Sequence, residues 1–214
     1  MRALMLLFLA MGLASVAFLL YTDTQNTSAT EDQNLIVLPI SLYILVDDVE
    51  SPNRSISSDR TESELYAILD GMNSIWGQAD IYLEPTFVGI VEVPQDVLRS
   101  VNAGDFTRFF EGVRDDRFDL PDPSMINGFY ARTLGGPNGI VPYGIGSRNY
   151  FVMDEPSVFD RRVSSHEVGH ILNLHHTHDS TQRLLFPGTN GMTLTEEEIT
   201  VARYVAQGML EEFR

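Results

Sequence analysis

The chain has 214 residues and a formal net charge of −16, and it contains neither cysteine nor lysine. Without cysteine it can form neither a disulfide framework nor a cysteine-ligated metal site. The acidic balance argues against nucleic acid and anionic membrane surfaces as partners, so we expect neither.

The N-terminal residues predict a targeting segment. After Arg2 the chain is almost entirely apolar from Ala3 to Leu20, a length between the core of a secretory signal and a membrane span of about 20 residues. We therefore predict that residues 1–20 are a signal peptide or an N-terminal membrane anchor, with the rest of the chain secreted or otherwise extracytoplasmic. Any membrane attachment would run through this segment alone. Residues 21–34 predict a flexible spacer before one domain at residues 35–214.

The domain begins with a predicted strand and a predicted helix. Leu35 to Val46 is an almost continuous apolar run rich in branched residues, which is typical of a central strand buried on both faces. Pro39 indicates that only the second half of this strand pairs fully. A capping box at Thr61–Glu64 then begins a helix whose apolar residues recur at helical spacing up to a glycine stop at Gly77.

The middle of the chain predicts three more strands and a short helix. One strand is expected within Asp80 to Val93, interrupted at Pro85 and Gly89, so the strand–helix–strand order predicts a right-handed parallel crossover. Beyond it, the pattern predicts a surface helix at Phe106–Val113 and strands at Met125–Ala131 and Asn149–Met153.

All histidines of the chain lie between Ser164 and His178. The motif His166-Glu167-x-x-His170 is predicted to lie on a helix, where residues four apart share one face, so the two imidazoles can bind one ion. A catalytic zinc takes three protein ligands and leaves the fourth position to water. His176 is the leading candidate for the third ligand.

This ligand set requires the helix to end before His176. In an unbroken helix His176 would lie about 280° round the axis from His166 and would point away from the ion. Asn173 is the predicted end of the helix, because asparagine readily adopts the left-handed conformation that terminates helices. His175 and His178 are not expected to be ligands.

Glu167 follows the first histidine directly, so its side chain points about 100° away from that of His166 round the helix. It is therefore better placed to reach a metal-activated water than the metal itself. We predict that Glu167 is the general base of a peptide hydrolysis that depends on one Zn²⁺ ion.

The residues from His166 to His176 resemble the zinc signature of the metzincin peptidases, His-Glu-x-x-His-x-x-Gly-x-x-His, with Asn173 where that family has glycine. The resemblance implies a zinc endopeptidase acting on peptide or protein substrates, and we expect a monomer. It implies an α/β (α+β) fold, a metzincin-like zincin. The expected parts are a twisted mixed sheet, two main helices, an active-site helix and a small C-terminal helical lobe. Residues 35–176 would form the upper lobe and residues 177–214 the lower lobe.

Two later segments extend the resemblance. Residues 183–187 and 194–199 are similar to the Met-turn and the final helix of matrixin-like members, but Leu185 replaces the methionine and Met192 is the only nearby substitute. In such peptidases an edge strand beside the metal pairs with the substrate, and Gly139–Val141 is our candidate for it. An ordinary hairpin loop remains the alternative there.

Two alternatives to this interpretation stay open. In one, the third ligand is a glutamate on the C-terminal helix, Glu196 or Glu197, near the capping box Thr195–Glu198 that begins this helix. In the other, the domain is a non-catalytic, zinc-stabilised binding module.

Overall fold

The structure, a computed structural model, describes residues 35–118, 120, 126–142, 148–153, 157–188 and 190–212. The signal peptide or anchor and the spacer predicted at residues 1–34 lie outside these residues. Within them, no helix is both long enough and apolar enough to span a membrane.

One mixed sheet organises the described part of the domain. Its five strands lie in the order β2-β1-β3-β5-β4, with bounds Ile36–Val46 (β1), Ile81–Glu92 (β2), Ile126–Ala131 (β3), Gly139–Ile140 (β4) and Asn149–Met153 (β5). The first four strands in this order pair in parallel, and β4 runs antiparallel to β5 at the edge. β1 pairs with β2 along its length and with β3 only over Ile40–Ile44, so its second half is central, as Pro39 indicated.

Five α-helices cover the sheet in the described chain, with bounds Glu62–Trp76 (α1), Gln95–Asn102 (α2), Thr107–Arg114 (α3), Ser157–Ile171 (α4) and Glu196–Glu212 (α5). The predicted capping box at Thr61–Glu64 is present, with the Thr61 amide donating to Glu64 at 2.8 Å. The capping box before α5 is present too, since the Thr195 amide donates to Glu198 at 2.9 Å. The five-stranded sheet and the five helices together confirm the mixed α/β class predicted from the sequence.

The central strands β1 and β3 are buried on both faces, and their alternate side chains pack into two different cores. Leu42 and Ile44 of β1 pack into a core that includes residues of α1, α4 and α5. Tyr43 and Leu45 face the opposite core, which includes residues of α2 and α3. The second core is largely aromatic, and Phe109 of α3 contacts the rings of Phe110, Phe118, Phe129 and Phe151.

The second strand is not interrupted as predicted. β2 runs through Pro85 and Gly89, and the register with β1 shifts once, since Ile40 opposes Pro85 while Ser41 opposes Phe87. The extra residue is Thr86, whose hydroxyl lies 3.1 Å from the Ile40 carbonyl oxygen. A bulge on an edge strand tolerates a proline, because the missing amide is not needed on the open side.

The end of α1 at Gly77 is confirmed, whereas the predicted surface helix needs correction. Gly77 follows α1 but keeps right-handed backbone angles, with φ −56°, and the chain continues into a 3-10 turn that ends at left-handed Asp80, with φ 48°. The α-helix therefore ends at the glycine as predicted, and the left-handed residue comes three positions later. The helix predicted at Phe106–Val113 is present as α3, but it buries Phe109 and Phe110, and the preceding α2 was not predicted.

Candidate metal centre

Helix α4 carries the histidine motif and packs against α1 and β5. Val163, Val168, Ile171 and Leu172, which the periodicity predicted to turn inward, are all buried in the core. The same packing buries His166 and Glu167, which are 6% and 5% exposed. The motif is therefore held on a helix whose apolar face anchors it to the sheet.

A left-handed turn at Asn173 ends α4, as predicted. Asn173 has φ 63°, and its amide donates to the His170 carbonyl at 3.0 Å. The amide of Leu174 donates to the Gly169 carbonyl at 2.8 Å, which completes a Schellman motif. The turn reverses the chain within two residues and so returns His176 to the histidine face of the helix.

Three imidazoles converge as a result. The Nε2 atom of His176 lies 3.1 Å from that of His166 and 3.2 Å from that of His170, and the latter two are 3.2 Å apart. On the far side of the rings, Nδ1 of His166 lies 2.8 Å from the Leu184 carbonyl oxygen, and Nδ1 of His170 lies 2.8 Å from that of Leu174.

This arrangement fits a bound cation. A carbonyl oxygen cannot donate, so Nδ1 of His166 and of His170 must carry the hydrogen, and in neutral rings Nε2 then carries only a lone pair. Lone pairs about 3 Å apart repel unless a cation lies between them. Nitrogen ligands about 2.0 to 2.1 Å from a tetrahedral zinc lie roughly 3.4 Å apart, close to the separations found here.

The protonation states agree with this. Burial lowers the pKa of His166 to about 3, against a smaller opposing effect of its hydrogen bond with the Leu184 carbonyl. Burial also lowers the pKa values of His170 and His176 below the ordinary histidine value. The three rings are therefore neutral at pH 7, which is the form that binds metal.

The other candidate ligands lie outside the cluster. Among the described residues, the group of histidine, aspartate and glutamate side chains whose donor atoms could hold one ion comprises His166, His170 and His176. His178 contacts the Phe186 ring, with centroids 5.6 Å apart. Glu196 and Glu197 begin α5 and are not part of the group, so the structure offers no support for the glutamate alternative.

Glu167 borders the cluster within a cleft of about 380 Å³. The cleft is lined by Gly139, Ile140, Val141, His166, Glu167, His170, His175 and His176. Burial raises the pKa of Glu167 to about 8, and the Arg162 guanidinium partly opposes this shift. The predicted strand at Gly139–Val141 is present as β4, at the edge of the sheet and in the wall of the cleft.

The segment after the histidines lies against α4. Leu185, the residue that the resemblance aligns with the Met-turn methionine, is fully buried, and a Cβ on Gly169 would lie 3.1 Å from its Cδ2 atom. Met192 is partly buried against the same core. Leu185 therefore supports the helix directly between the positions of His166 and His170.

Sequence reasoning missed Arg162. It lies four residues before His166 on α4, and its guanidinium donates to the carbonyls of Leu184 and Phe186 at 2.9 and 2.5 Å. Its spacing of four residues from His166 could have indicated that it lies near the site, because residues four apart share one helix face. The acceptors could not have been predicted, since they are main-chain atoms of a distant segment.

Comparison with known proteins supports the fold. No protein-family model and no curated protein sequence matches the chain. Metalloproteinase-II from Bacteroides fragilis is similar over 83% of this chain and 55% of its own, with a TM-score of 0.53 and 13% identity. A chaperone–substrate complex is similar over 82% of this chain and 35% of its own, with a TM-score of 0.53 and 16% identity. A zinc-dependent peptidase from Methanocorpusculum labreanum gives a TM-score of 0.47 at 11% identity, over 76% of this chain and 99% of its own.

At these identities the likeness concerns the fold alone. The chain spans about half the length of the metalloproteinase and about a third of the length of the chain from the chaperone complex. The fold is therefore one that a metalloproteinase uses, and within it this chain brings together three histidines that could hold a metal ion.

Proposed function

We propose that the chain is a zinc-dependent endopeptidase of the metzincin type. The observation that carries the proposal is the convergence of three Nε2 atoms, within 3.2 Å of one another, beside the buried carboxyl group of Glu167. Among the described residues no fourth protein ligand joins the three imidazoles, and three imidazoles alone are the donor set of a catalytic rather than a structural zinc site.

Each residue of the site has a distinct role. His166, His170 and His176 would hold the ion, which when bound supplies a Lewis acid and an activated water. Glu167 accepts a proton at its carboxylate as general base and passes it to the leaving amine. Burial of this carboxyl group in the cleft keeps bulk water away from the transfer.

The position of β4 at the edge of the sheet favours an extended peptide or protein chain as the substrate. Gly139 and Ile140 pair with β5 on one side, and in the described part of the chain no strand pairs with β4 on its other side. An extended peptide can add to such an edge through main-chain hydrogen bonds, and the cleft next to β4 then places its backbone near Glu167. This interpretation requires no particular substrate side chain.

The cellular setting belongs to the proposal as well. The targeting segment predicted at residues 1–20 favours a secreted or extracytoplasmic protein, tethered to the membrane if the segment is retained. We propose that the protein acts there as a monomer.

Metal analysis combined with casein cleavage tests the function. The purified chain should contain one zinc ion, cleave casein, and lose cleavage when a chelator removes the metal. Glu167→Ala should keep the zinc and lose about 100- to 10,000-fold in rate, as expected for removal of a general base. Stoichiometric zinc without cleavage under any condition would favour the zinc-stabilised binding module, and absence of zinc binding would refute the site.

A further inference from the structure

Arg162 is buried beside the candidate metal site although it carries a charge. The residue is 9% exposed, and its guanidinium donates from Nη2 to the carbonyls of Leu184 and Phe186, at 2.9 and 2.5 Å. A longer contact, 3.5 Å from Nε, reaches the Gly191 carbonyl. Burial of a guanidinium is costly unless its donors are satisfied, so these carbonyls determine where it can lie.

The Leu184 carbonyl is shared between two donors. It accepts from Arg162 Nη2 at 2.9 Å and lies 2.8 Å from Nδ1 of His166. A carbonyl oxygen has two lone pairs, so it can accept from both groups at once. Arg162 and His166 are one helical turn apart on α4, and the shared oxygen connects them through a segment about twenty residues further along the chain.

The shared acceptor determines the state of the His166 ring. A guanidinium only donates, and while it holds the Leu184 oxygen toward α4, that oxygen can receive only an N–H from His166. The hydrogen then lies on Nδ1, and Nε2 presents its lone pair to His170 and His176. Groups that hold the second nitrogen of a ligating histidine orient the ring and increase metal affinity.

The segment that supplies this carbonyl is held at several points: Leu184 and Leu185 are fully buried, and Arg183 pairs with Glu198 at 2.7 Å. The Leu184 amide donates to the Thr193 carbonyl at 2.9 Å, and the Thr193 amide donates to the Gln182 carbonyl at 3.0 Å. These bonds hold the two ends of the loop together. Arg162 contacts carbonyls on both sides of the loop, at Leu184 and Gly191, and so fixes the loop against α4.

We infer that Arg162 is a positioning residue of the metal site: it holds the Leu184 carbonyl where that oxygen fixes the Nδ1–H tautomer and the orientation of His166. The consequence for metal affinity rests on the proposed zinc site. The consequence for the tautomer concerns the metal-free protein and is independent of it.

The experiment compares the wild type with Arg162→Met, Arg162→Lys and the control Arg161→Met. Arg161 is an exposed neighbour on the same helix, so its replacement removes the same charge without touching the Leu184 carbonyl. Nitrogen-15 NMR of the imidazole rings in the metal-free full chain reports the His166 tautomer, and competition with a chromophoric chelator reports zinc affinity.

In the wild type and in Arg161→Met we expect hydrogen on Nδ1 of His166. Arg162→Met should shift His166 toward a mixture of tautomers and weaken zinc binding by about 10- to 100-fold, as for other losses of an outer partner of a ligand. Arg162→Lys should lose less zinc affinity than Arg162→Met, because an ammonium can still donate to one carbonyl.

Two results would overturn the inference. One is a metal-free wild type with hydrogen on Nε2 of His166, a measurement that needs no variant and decides the matter even if neither Arg162 variant folds. The other is a folded Arg162→Met that keeps both the wild-type tautomer and the wild-type zinc affinity. A tautomer that shifts in Arg162→Met, in a chain whose wild type binds no zinc, would support the role of Arg162 and refute the proposed zinc site.

Discussion

The carboxyl group of Glu167 packs directly against the α-carbon of Gly139. A Cβ at position 139 would lie 2.7 Å from Oε1 of Glu167 and 2.7 Å from Cγ1 of Val163. Side-chain contacts this short do not persist, so any residue larger than glycine must displace the strand β4 or else both the carboxyl group and the Val163 side chain. The proposed base and the proposed substrate-binding strand are thus in van der Waals contact.

This contact predicts that Gly139→Ala impairs catalysis and spares the metal. Displacement of the base by a fraction of an ångström to about 1 Å should reduce kcat/KM on a peptide substrate by roughly 10- to 100-fold. The zinc content should stay at the wild-type level, because the atoms nearest to the new methyl group belong to Glu167 and Val163 and not to a histidine. Gly136→Ala is the matched control, since a Cβ there meets nothing within 4 Å. Equal kcat/KM values for the two variants would show that Glu167 does not depend on Gly139.

The buried carboxyl group of Glu167 should make the metal-free protein less stable as the pH rises. Its pKa is raised from 4.5 to about 8 by burial, so the folded state binds the proton more tightly than the unfolded state. The stability contributed by the proton is complete below pH 4.5 and is lost between pH 4.5 and about 8.

Glu167→Gln removes this titration while keeping the shape of the side chain. In the metal-free protein, the Tm of the wild type should fall relative to that of Glu167→Gln as the pH rises from 5 to about 8. Thermal melting of both proteins at several pH values measures the difference, in which the contributions of the histidines cancel. A difference that is independent of pH would mean that Glu167 has an ordinary pKa.

His176 and His175 are adjacent but should differ in their effect on zinc binding. His176 joins the metal-binding group, whereas His175 lines the cleft without belonging to that group. His176→Ala should weaken zinc binding by more than the ~10- to 100-fold typical of losing an outer partner. His175→Ala and His178→Ala should leave zinc affinity unchanged in the same chelator competition. If His175→Ala lost zinc and His176→Ala kept it, the third ligand would be His175 and the assignment of His176 would be wrong.

Asn173 is needed for its backbone conformation and not for its amide. It has φ 63° and an exposed side chain, so Asn173→Gly should keep zinc affinity and thermal stability near the wild-type values. Asn173→Val should lower both, because a β-branched residue in the left-handed region costs about 1 to 3 kcal/mol. Metal titration and thermal melting of the two variants check this side by side. A harmless valine would mean that the turn does not require the left-handed conformation.

The sequence alone determined the features that depend on short-range geometry. His166 and His170 share one face of the helix because of the helical repeat, and the left-handed turn at Asn173 follows from the backbone preference of asparagine. The capping box at Thr61–Glu64 is equally local. In each case the interacting groups lie within a few residues, so neighbouring dihedral angles decide the outcome. The convergence of His176 could be predicted for the same reason, because only one turn separates it from the helix.

The tertiary structure decided the features that join distant segments. The contact of Gly139 with Glu167 and the sharing of the Leu184 carbonyl by Arg162 and His166 depend on how β4 and the later loop pack against α4. The bulge at Thr86 depends on the register between two strands. No local preference encodes these pairings, because main-chain carbonyls and a glycine hydrogen carry no signature in the sequence. They arise only when packing of the core brings the segments together, and they determine the protonation and position of the residues that the motif made recognisable.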